Sequence, residues 1–331
     1  MDVKDLAGIS TPITRLIEVI SAGVGQVSRS YFTRLQAHAD VEAIKLISSA
    51  IDGLDQSTDF TYKKDAIEIR RSPNEKPSNT QALASPAETR IEYIEAKRQR
   101  NVEQITSNAA LALSGIETVN SDLPSEDWIS RFFREAEDVT SEQMQILWGK
   151  VLAGEVINPG SFSLRTLDVL RSLSAQEAKL VERLAKYVIR GAGLAFIPAS
   201  RLNCLHASRE LLHGELVVLS ELGLLQFDPL DVRLLSDSLL STTLVNGEWL
   251  ANLERERDGT DVRLSIMKIT QVGSDLVSLV STEGSKIHLI ESITTLLNDT
   301  TTARIAKGHL GPDGLNYVVD QSTVEFVRRP T

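Results

Sequence analysis

Apolar side chains recur at three- and four-residue intervals in the first part of the chain, and this spacing predicts long amphipathic helices. The first helix begins at Ser10-Thr11-Pro12, because a hydroxyl can cap the first turn and proline is tolerated there. We expect its apolar stripe to face other subunits or, as a second choice, a membrane surface. The residues of this predicted interface are Ile13, Leu16, Ile17, Ile20, Val24, Val27 and Tyr31.

A second helical pattern extends from Ala87 to Leu113, where acidic and basic residues alternate around an apolar seam. Such helices pair with one another or take part in coiled-coil assemblies, so the pattern favours a homo-oligomer. Between the two helical patterns, residues 54–80 are polar and charged, which predicts a surface loop. The sequence therefore predicts a long-helix region over residues 1–120.

Residues 121–190 carry the clearest helix signals of the chain and predict a compact helical bundle. Two tryptophans, Trp128 and Trp148, lie on the apolar stripes of successive helices, which indicates that these helices pack together. Helix starts are predicted at Ser125, at a capping box of Thr140 with Gln143, at Phe162 and at a capping box of Ser174 with Glu177.

Shorter elements follow after residue 190. Over residues 191–285 the order of elements is similar to that of a winged-helix domain: a strand at LAFIP, two short helices, a strand from Val262 to Ile269, a turn at Gly273 and a helix from Ser274. Residues 286–331 predict a small α/β tail with one helix and two strands. The fold class that we expect is mainly α, with long N-terminal helices, a central helical bundle and a C-terminal α+β winged-helix-like module.

The composition is that of a folded, water-soluble protein, and its charge argues against broad attraction to anionic partners. The chain has 331 residues, 42% hydrophobic content and a formal net charge of −10, which makes nucleic acid a second choice as partner. Cys204 is the single cysteine, the first residues lack a signal-peptide pattern, and no stretch is apolar enough to span a membrane. We expect a cytoplasmic protein, with peripheral contact to a membrane as a further option.

Nucleic-acid binding by a winged helix needs cations on its second helix and its wing. The segment interpreted as the wing offers Arg255 and Arg257 among five acidic residues. We therefore interpret the module as protein-binding or structural. A nucleic-acid-binding regulator that uses Arg255 and Arg257 stays as the alternative.

No spacing along the sequence predicts a catalytic, cofactor-binding or metal-binding constellation. Cys204, His206 and His213 are close together but match no common zinc pattern, and Cys204 is interpreted as a small core residue. The segment GVGQVS lacks the preceding strand of a phosphate loop, so Gly23 and Gly25 are interpreted as a kink or a close helix crossing. We expect a non-enzymatic protein without cofactor or metal.

The central block also resembles a known bacterial family. An Asp-Trp helix start, a Leu-Trp helix, a Leu-Ala-Gly-Glu turn and a Pro-Gly-Ser-Phe-Ser-Leu-Arg-Thr run follow one another here, as in the family catalogued as domain of unknown function 2806. With the opening DLAGISTPITRLIEVISAGVGQV, the resemblance covers roughly the first 190 residues. It implies no activity. A helix pair followed by a proline and a Leu-Ser cap is also similar to the Abi-alpha family, which implies a role in abortive infection, a form of anti-phage defence.

Overall fold

The chain divides into two compact units, residues Met1–Ser172 and Leu173–Thr331, which we call the helical unit and the sheet unit. The structure is a computed structural model that describes residues 10–25, 58–63, 66–71, 86–280, 284–311 and 317–327. The helical unit joins the predicted long-helix region to most of the predicted bundle. The division at residue 172 therefore falls inside the region 121–190 that the sequence predicts as one bundle.

The helical unit contains five described helices and one hairpin. The helix predicted from Ala87 and the helix start predicted at Ser125 are both confirmed, and the Ser125 side chain accepts a hydrogen bond from the backbone N–H of Trp128. The elements are α1 (Thr11–Val24), β1 (Thr58–Lys63), β2 (Ala66–Arg71), α2 (Pro86–Ala112), α3 (Glu126–Ala136), α4 (Glu142–Ile157) and α5 (Leu164–Ser172).

The core of the helical unit is built around two large aromatic side chains, Phe132 of α3 and Trp148 of α4, which are fully buried. Their ring centroids lie 5.2 Å apart, and Trp128 stacks on Phe132 at 5.0 Å. Helix α4 packs closely against α2, because Gly149 has no side chain where a Cβ atom would approach Asn108 to 2.6 Å. The prediction that the two tryptophan helices pack together is confirmed.

A buried carboxylate shapes the turn between α4 and α5. Glu155 is 1% exposed, and its two oxygens accept hydrogen bonds from the backbone N–H groups of Gly160 and Phe162 at 2.6 and 2.9 Å. The carbonyl of Phe162 in turn accepts a hydrogen bond from the Trp128 indole N–H at 2.8 Å. Gly154 leaves room for the Phe162 ring, which a Cβ atom would meet at 2.6 Å. This turn is therefore fixed by the residues of the Leu-Ala-Gly-Glu and Pro-Gly-Ser-Phe motifs.

The polar stretch 54–80, predicted as a surface loop, contains a β-hairpin instead. Strands β1 and β2 pair antiparallel, with Phe60 opposite Ile69 and Tyr62 opposite Ile67. A loop is therefore the wrong prediction for these two strands, because the alternation of apolar with polar residues in TDFTYK and AIEIRR is that of a strand, whereas the surrounding charges suggested a loop. The rest of the stretch 54–80 lies outside the described residues.

The sheet unit begins with α6, whose capping box of Ser174 and Glu177 is confirmed, and it contains nine of the described strands. Its helices are α6 (Ala175–Ala185), α7 (Leu202–Ala207), α8 (His213–Glu221), α9 (Gln271–Ser278) and α10 (Lys286–Thr294). Its strands are β3 (Ile189–Gly191), β4 (Leu194–Pro198), β5 (Leu230–Leu235), β6 (Ser241–Asn246), β7 (Trp249–Arg255), β8 (Val262–Lys268), β9 (Thr301–Leu310), β10 (Tyr317–Val319) and β11 (Glu325–Val327).

These nine strands form one antiparallel sheet in the order β10-β9-β7-β6-β3-β4-β8-β5, with β11 paired to β9 beside β10. The core draws side chains from each of the strands β3 to β9 and from α10. Leu289 and Ile293 of α10 are fully buried against this sheet face. The helix α10 therefore packs against the sheet and contacts strands β6 and β7.

The predicted fold class, mainly α with a winged-helix-like module, is wrong, because a nine-strand antiparallel sheet dominates the C-terminal part. The segment interpreted as a wing is strand β7, which pairs with β6 and β9 within the sheet. Strand β9 was not predicted, since its inward positions hold Ala303 and Ile305 between exposed Thr302 and Arg304 and give only a weak apolar signal. Gly273, predicted as a turn, lies inside α9, where Thr270 caps the helix by accepting from its N–H at 3.1 Å.

We predict that Glu155→Ala destabilises the helical unit by about 2–4 kcal/mol, because two buried backbone N–H groups lose their acceptor. Urea denaturation followed by tryptophan fluorescence measures this cost. Glu142→Ala is the matched control, since Glu142 lies on the same helix but is exposed, and it should cost less than about 1 kcal/mol. Equal costs for the two variants would contradict the role given to Glu155.

Candidate functional site

No described part of the chain packs against the N-terminal half of α2. Every residue from Pro86 to Lys97 is exposed, whereas buried positions of this 27-residue helix begin at Asn101. The exposed segment includes three large apolar side chains: Ile91 is 56% exposed, Tyr93 65% and Ile94 37%. We call residues 86–97 the α2 arm. An exposed isolated helix of this length is marginal in water, so the arm is a candidate interaction surface.

The apolar stripe of the arm continues into the core of the helical unit after two polar positions. Ile91 and Ile94 follow the alternating three- and four-residue spacing of a coiled-coil seam, and the same spacing leads on through Arg98 and Asn101 to Ile105. Asn101 and Ile105 are 6% and 0% exposed, because α3 and α4 cover this part of α2. The stripe is thus buried at one end and open at the other.

The predicted interface on α1 has a different environment from the one expected. Ile13, Leu16, Ile17 and Ile20 are between 0% and 7% exposed, because α1 packs against α3 and α4 of its own chain. Val24 is 38% exposed, and Val27 and Tyr31 lie outside the described residues. The first four residues therefore belong to the core, which corrects the expectation that they meet another subunit or a membrane.

Among the described helices, none combines the length and the apolar character that crossing a membrane would require.

Gly23 marks a close helix crossing, one of the two interpretations left open by the sequence. A Cβ atom at this position would lie 1.9 Å from Cδ2 of Phe133, so α1 and α3 approach each other where Gly23 has no side chain. Helix α1 ends at Val24, and Gly25 follows with a φ of 77°. The glycines of this segment therefore serve packing and helix termination.

Of the two arginines predicted for nucleic-acid contact, Arg255 is buried within the sheet unit. Its side chain is 3% exposed, and its guanidinium donates to Asp237 at 2.8 Å and to the carbonyl of Thr260 at 2.9 Å. It also donates to the carbonyl of Gly259. Arg255 therefore ties two turns together and is not available to a phosphate backbone, which corrects that assignment. Arg257 is exposed two residues further on.

The residues weighed as metal ligands have other contacts. Cys204 is an exposed free cysteine, so its interpretation as a core residue is wrong. The rings of His206 and His213 pack edge to face at 5.9 Å, and Nδ1 of His206 lies 2.6 Å from the carbonyl oxygen of Leu211. Across the described ranges, no group of three or more histidine, cysteine or acidic side chains is arranged to hold a metal ion.

The start of α10 is held by a buried polar cluster that sequence analysis did not identify. The Asn246 side chain donates to the carbonyls of Lys186 and Val188 at 3.0 and 2.9 Å and accepts from the Ser285 N–H at 2.6 Å. His288 is 3% exposed, and its Nε2 donates to the carbonyl of Tyr187 at 3.0 Å. Burial, and secondarily the charge of Arg201, lower the pKa of His288 to about 4, so the imidazole is neutral at pH 7.

The architecture defines an α+β protein in which a helical unit with an exposed helical arm precedes a nine-strand antiparallel sheet. The family described as "Protein of unknown function (DUF2806)" matches residues 86–291, which is more than half of the chain, and the chain belongs to this family. No curated protein and no solved structure matches the chain.

This match confirms the resemblance found in the central block and changes its extent. The matched region begins at the α2 arm and continues through most of the sheet unit to residue 291, whereas the sequence resemblance was placed on roughly the first 190 residues. Membership gives no activity, because the family's function is not established. The function must therefore be argued from the surfaces of the molecule.

We predict that Ile20→Asp unfolds the helical unit, because an unpaired carboxylate would replace a side chain that is 1% exposed. Val24→Asp, one turn further along the same helix and 38% exposed, should cost less than about 1 kcal/mol. Circular dichroism during thermal denaturation compares the two variants. If Ile20→Asp folded normally with only its association changed, α1 would be an interface after all.

We also predict a pH dependence of stability that depends on His288. In the unfolded chain His288 takes up a proton below its ordinary pKa of 6.5, whereas in the folded chain it stays neutral down to a pKa of about 4. The free energy of unfolding therefore has its full value above pH 6.5 and decreases as the pH drops from 6.5 to about 4. The loss is about 1.4 kcal/mol per pH unit, or about 2 kcal/mol at pH 5. Urea denaturation at pH 7 and pH 5 should show this loss in the wild type and a smaller one in His288→Gln. Equal pH dependence in both proteins would rule out His288 as its source.

Proposed function

We propose that this protein works by self-association, as a homodimer in which the α2 arms of two copies pair as a short parallel coiled coil. The observation that carries the proposal is the open end of the α2 stripe, where Ile91 and Ile94 are 56% and 37% exposed. A second arm supplies the same apolar residues at the same spacing. Pairing would therefore cover both stripes at once.

The charges beside the stripe favour a second copy in the parallel orientation. In a parallel pair, Arg90 of one copy would face Glu95 of the other, and the two-fold symmetry makes this attractive contact twice. In an antiparallel pair centred on Ile91 and Ile94, Glu88 would face Glu95, and Arg90 would face Lys97. Both antiparallel contacts join like charges, which disfavours that arrangement.

The proposal keeps the homo-oligomer expected from the sequence but moves its interface from α1 to α2. Both helices have apolar stripes, but only the stripe of α2 has an open end among the described residues. Four other expectations stay predictions from the sequence: a role in abortive infection, a cytoplasmic location, contact with a membrane surface or a protein partner, and the absence of enzymatic activity. The self-association proposal does not depend on any of them.

We predict that sedimentation equilibrium gives the mass of two chains, that is twice 36.4 kDa, for the wild type at high concentration. The double variant Ile91→Asp with Ile94→Asp should be monomeric, because charges on the stripe would be buried in the pair. Tyr93→Asp is the control on the other side of the arm, and it should stay dimeric since Tyr93 lies off the stripe. A wild type that stays monomeric at millimolar concentration would end the proposal.

The orientation is tested by charge reversal. Arg90→Glu and Glu95→Arg should each weaken the homodimer by about tenfold, because two attractive contacts become repulsive. Glu95 also accepts a hydrogen bond from Arg98 of its own helix at 2.9 Å, so a loss in Glu95→Arg alone has two explanations. Mixing the two single variants separates them, since only the mixed pair restores attraction between copies. A mixture no stronger than either variant would contradict the parallel arrangement.

A further inference from the structure

The α2 arm differs from the rest of its helix in the support that its helical conformation receives. From Asn101 onward, α3 and α4 bury one side of the helix. Within a single chain, no buried apolar contact with the described residues supports the arm, because every residue from 86 to 97 is exposed. A helical segment of about three turns is only marginally stable in water without such contacts.

Contacts of Arg98 and Asn101 mark the boundary between the arm and the packed half of α2. The Nε atom of Arg98 lies 3.8 Å from the Glu137 carboxylate and 3.7 Å from that of Asp138, two residues that follow α3. The Asn101 side-chain amide donates to the carbonyl of Glu137 at 2.7 Å. These contacts tie the base of the arm to the connection between α3 and α4, and the arm extends from there into solvent.

The packed half makes the arm easy to form but does not make it stable. Nucleation is the costly step of helix formation, and residues 98–112 already supply formed turns onto which the arm can grow. Each further residue then adds one hydrogen bond at a nearly balanced free energy. Four residues of the arm are weaker helix formers than alanine: Thr89, Ile91, Tyr93 and Ile94. The helical state of the arm therefore responds to small changes in free energy.

We propose that the arm is helical only while two copies are paired, so that folding of the arm and self-association are one coupled step. This inference rests on the proposed function, because the second copy supplies the apolar contacts that the arm lacks. Pairing covers Ile91 and Ile94, which are 56% and 37% exposed in the single chain, and their burial favours the ordered arm. The helical arm described above is then the conformation of the paired state.

Coupling of this kind makes the stability of the arm helix a regulator of association. Ordering the backbone of both arms costs conformational entropy, which subtracts from the free energy gained by burying the two stripes. A change that stabilises the helix in the unpaired chain lowers this cost and strengthens pairing, even where it touches no residue of the interface. A change that weakens the helix has the opposite effect.

Substitutions that change helix propensity away from the interface test the coupling. Ala96 is exposed and lies on the side of the helix opposite Ile91 and Ile94, so Ala96→Gly removes no contact between copies. Glycine weakens the helical state about fivefold in each arm, so we expect the dissociation constant of the homodimer to rise about twentyfold. Thr89→Ala, one heptad earlier on the same side, should lower the constant by about threefold. Sedimentation equilibrium measures both constants.

Gln104→Gly is the matched control in the packed half of the same helix. Gln104 is exposed, but α3 and α4 hold its neighbours in the single chain and in the pair alike. The substitution should therefore lower the free energy of unfolding and leave the dissociation constant unchanged. An Ala96→Gly variant that pairs as tightly as the wild type, or a Gln104→Gly variant that weakens pairing equally, would overturn the coupling.

Amide hydrogen exchange measures the conformation of the arm directly. In wild type diluted until it is monomeric, the amides of residues 91–97 should exchange as fast as those of an unfolded chain, whereas in the concentrated homodimer they should be protected. The amides of residues 101–112 should be protected at both concentrations, because this half is packed in either state. Arm amides that are equally protected in the monomer would overturn the proposal.

Failure of the coupling can be told apart from failure of the proposed function. A wild type that never pairs removes the homodimer and the coupling with it. A homodimer whose arm amides stay protected at every dilution keeps the proposed function and removes only the coupling.

Discussion

The hydrogen bonds of the buried Glu155 carboxylate are the constraint on which the helical unit depends. A carboxylate that is 1% exposed is tolerated only when its oxygens are satisfied, and here the N–H groups of Gly160 and Phe162 satisfy them. The same turn presents the Phe162 carbonyl to the indole of Trp128, which ties α3 to the start of α5. The Glu155 side chain therefore fixes where α4 ends and how the chain enters α5. Trp128, which bonds to this turn, also stacks on Phe132 in the aromatic core.

The hydrogen bonds of this turn explain why the family motif indicates a fold but no activity. One turn uses four residues of the motif. Gly154 leaves room for the ring of Phe162, Glu155 accepts hydrogen bonds from two backbone N–H groups, and Gly160 has a φ of 87°. None of them is exposed as a reactive group in the described structure. The motif thus specifies a fold, and the proposed function rests on residues outside it.

The sequence predicted the helical elements well, because their apolar spacing and caps are local signals. Helix α3 begins after Ser125 as expected, whereas α4 begins after Ser141, whose side chain makes no capping hydrogen bond, so the predicted capping box of Thr140 with Gln143 is wrong. Strands β7 and β9 escaped prediction, since Ala251, Ala303 and the buried Arg255 occupy inward positions where large apolar residues would have revealed the alternation. The stripe of α1 correctly indicated a buried face, but periodicity does not say whether the chain itself or a partner covers it.

The candidate sites depend on pairing between distant segments, which no local pattern encodes. Arg255 and Arg190 both lie in strands of the same sheet, yet they have opposite surroundings. Arg255 was assigned from its sequence neighbours to an exposed wing, but the turn at residues 259–260 and Asp237 enclose its guanidinium and compensate its charge. Arg190 has no such carboxylate among the described residues and lies half-buried in β3. Because the charge of Arg255 is compensated by Asp237, which lies in a turn between two strands, the structural role of this arginine depends on a contact 18 residues away that its sequence neighbours do not show.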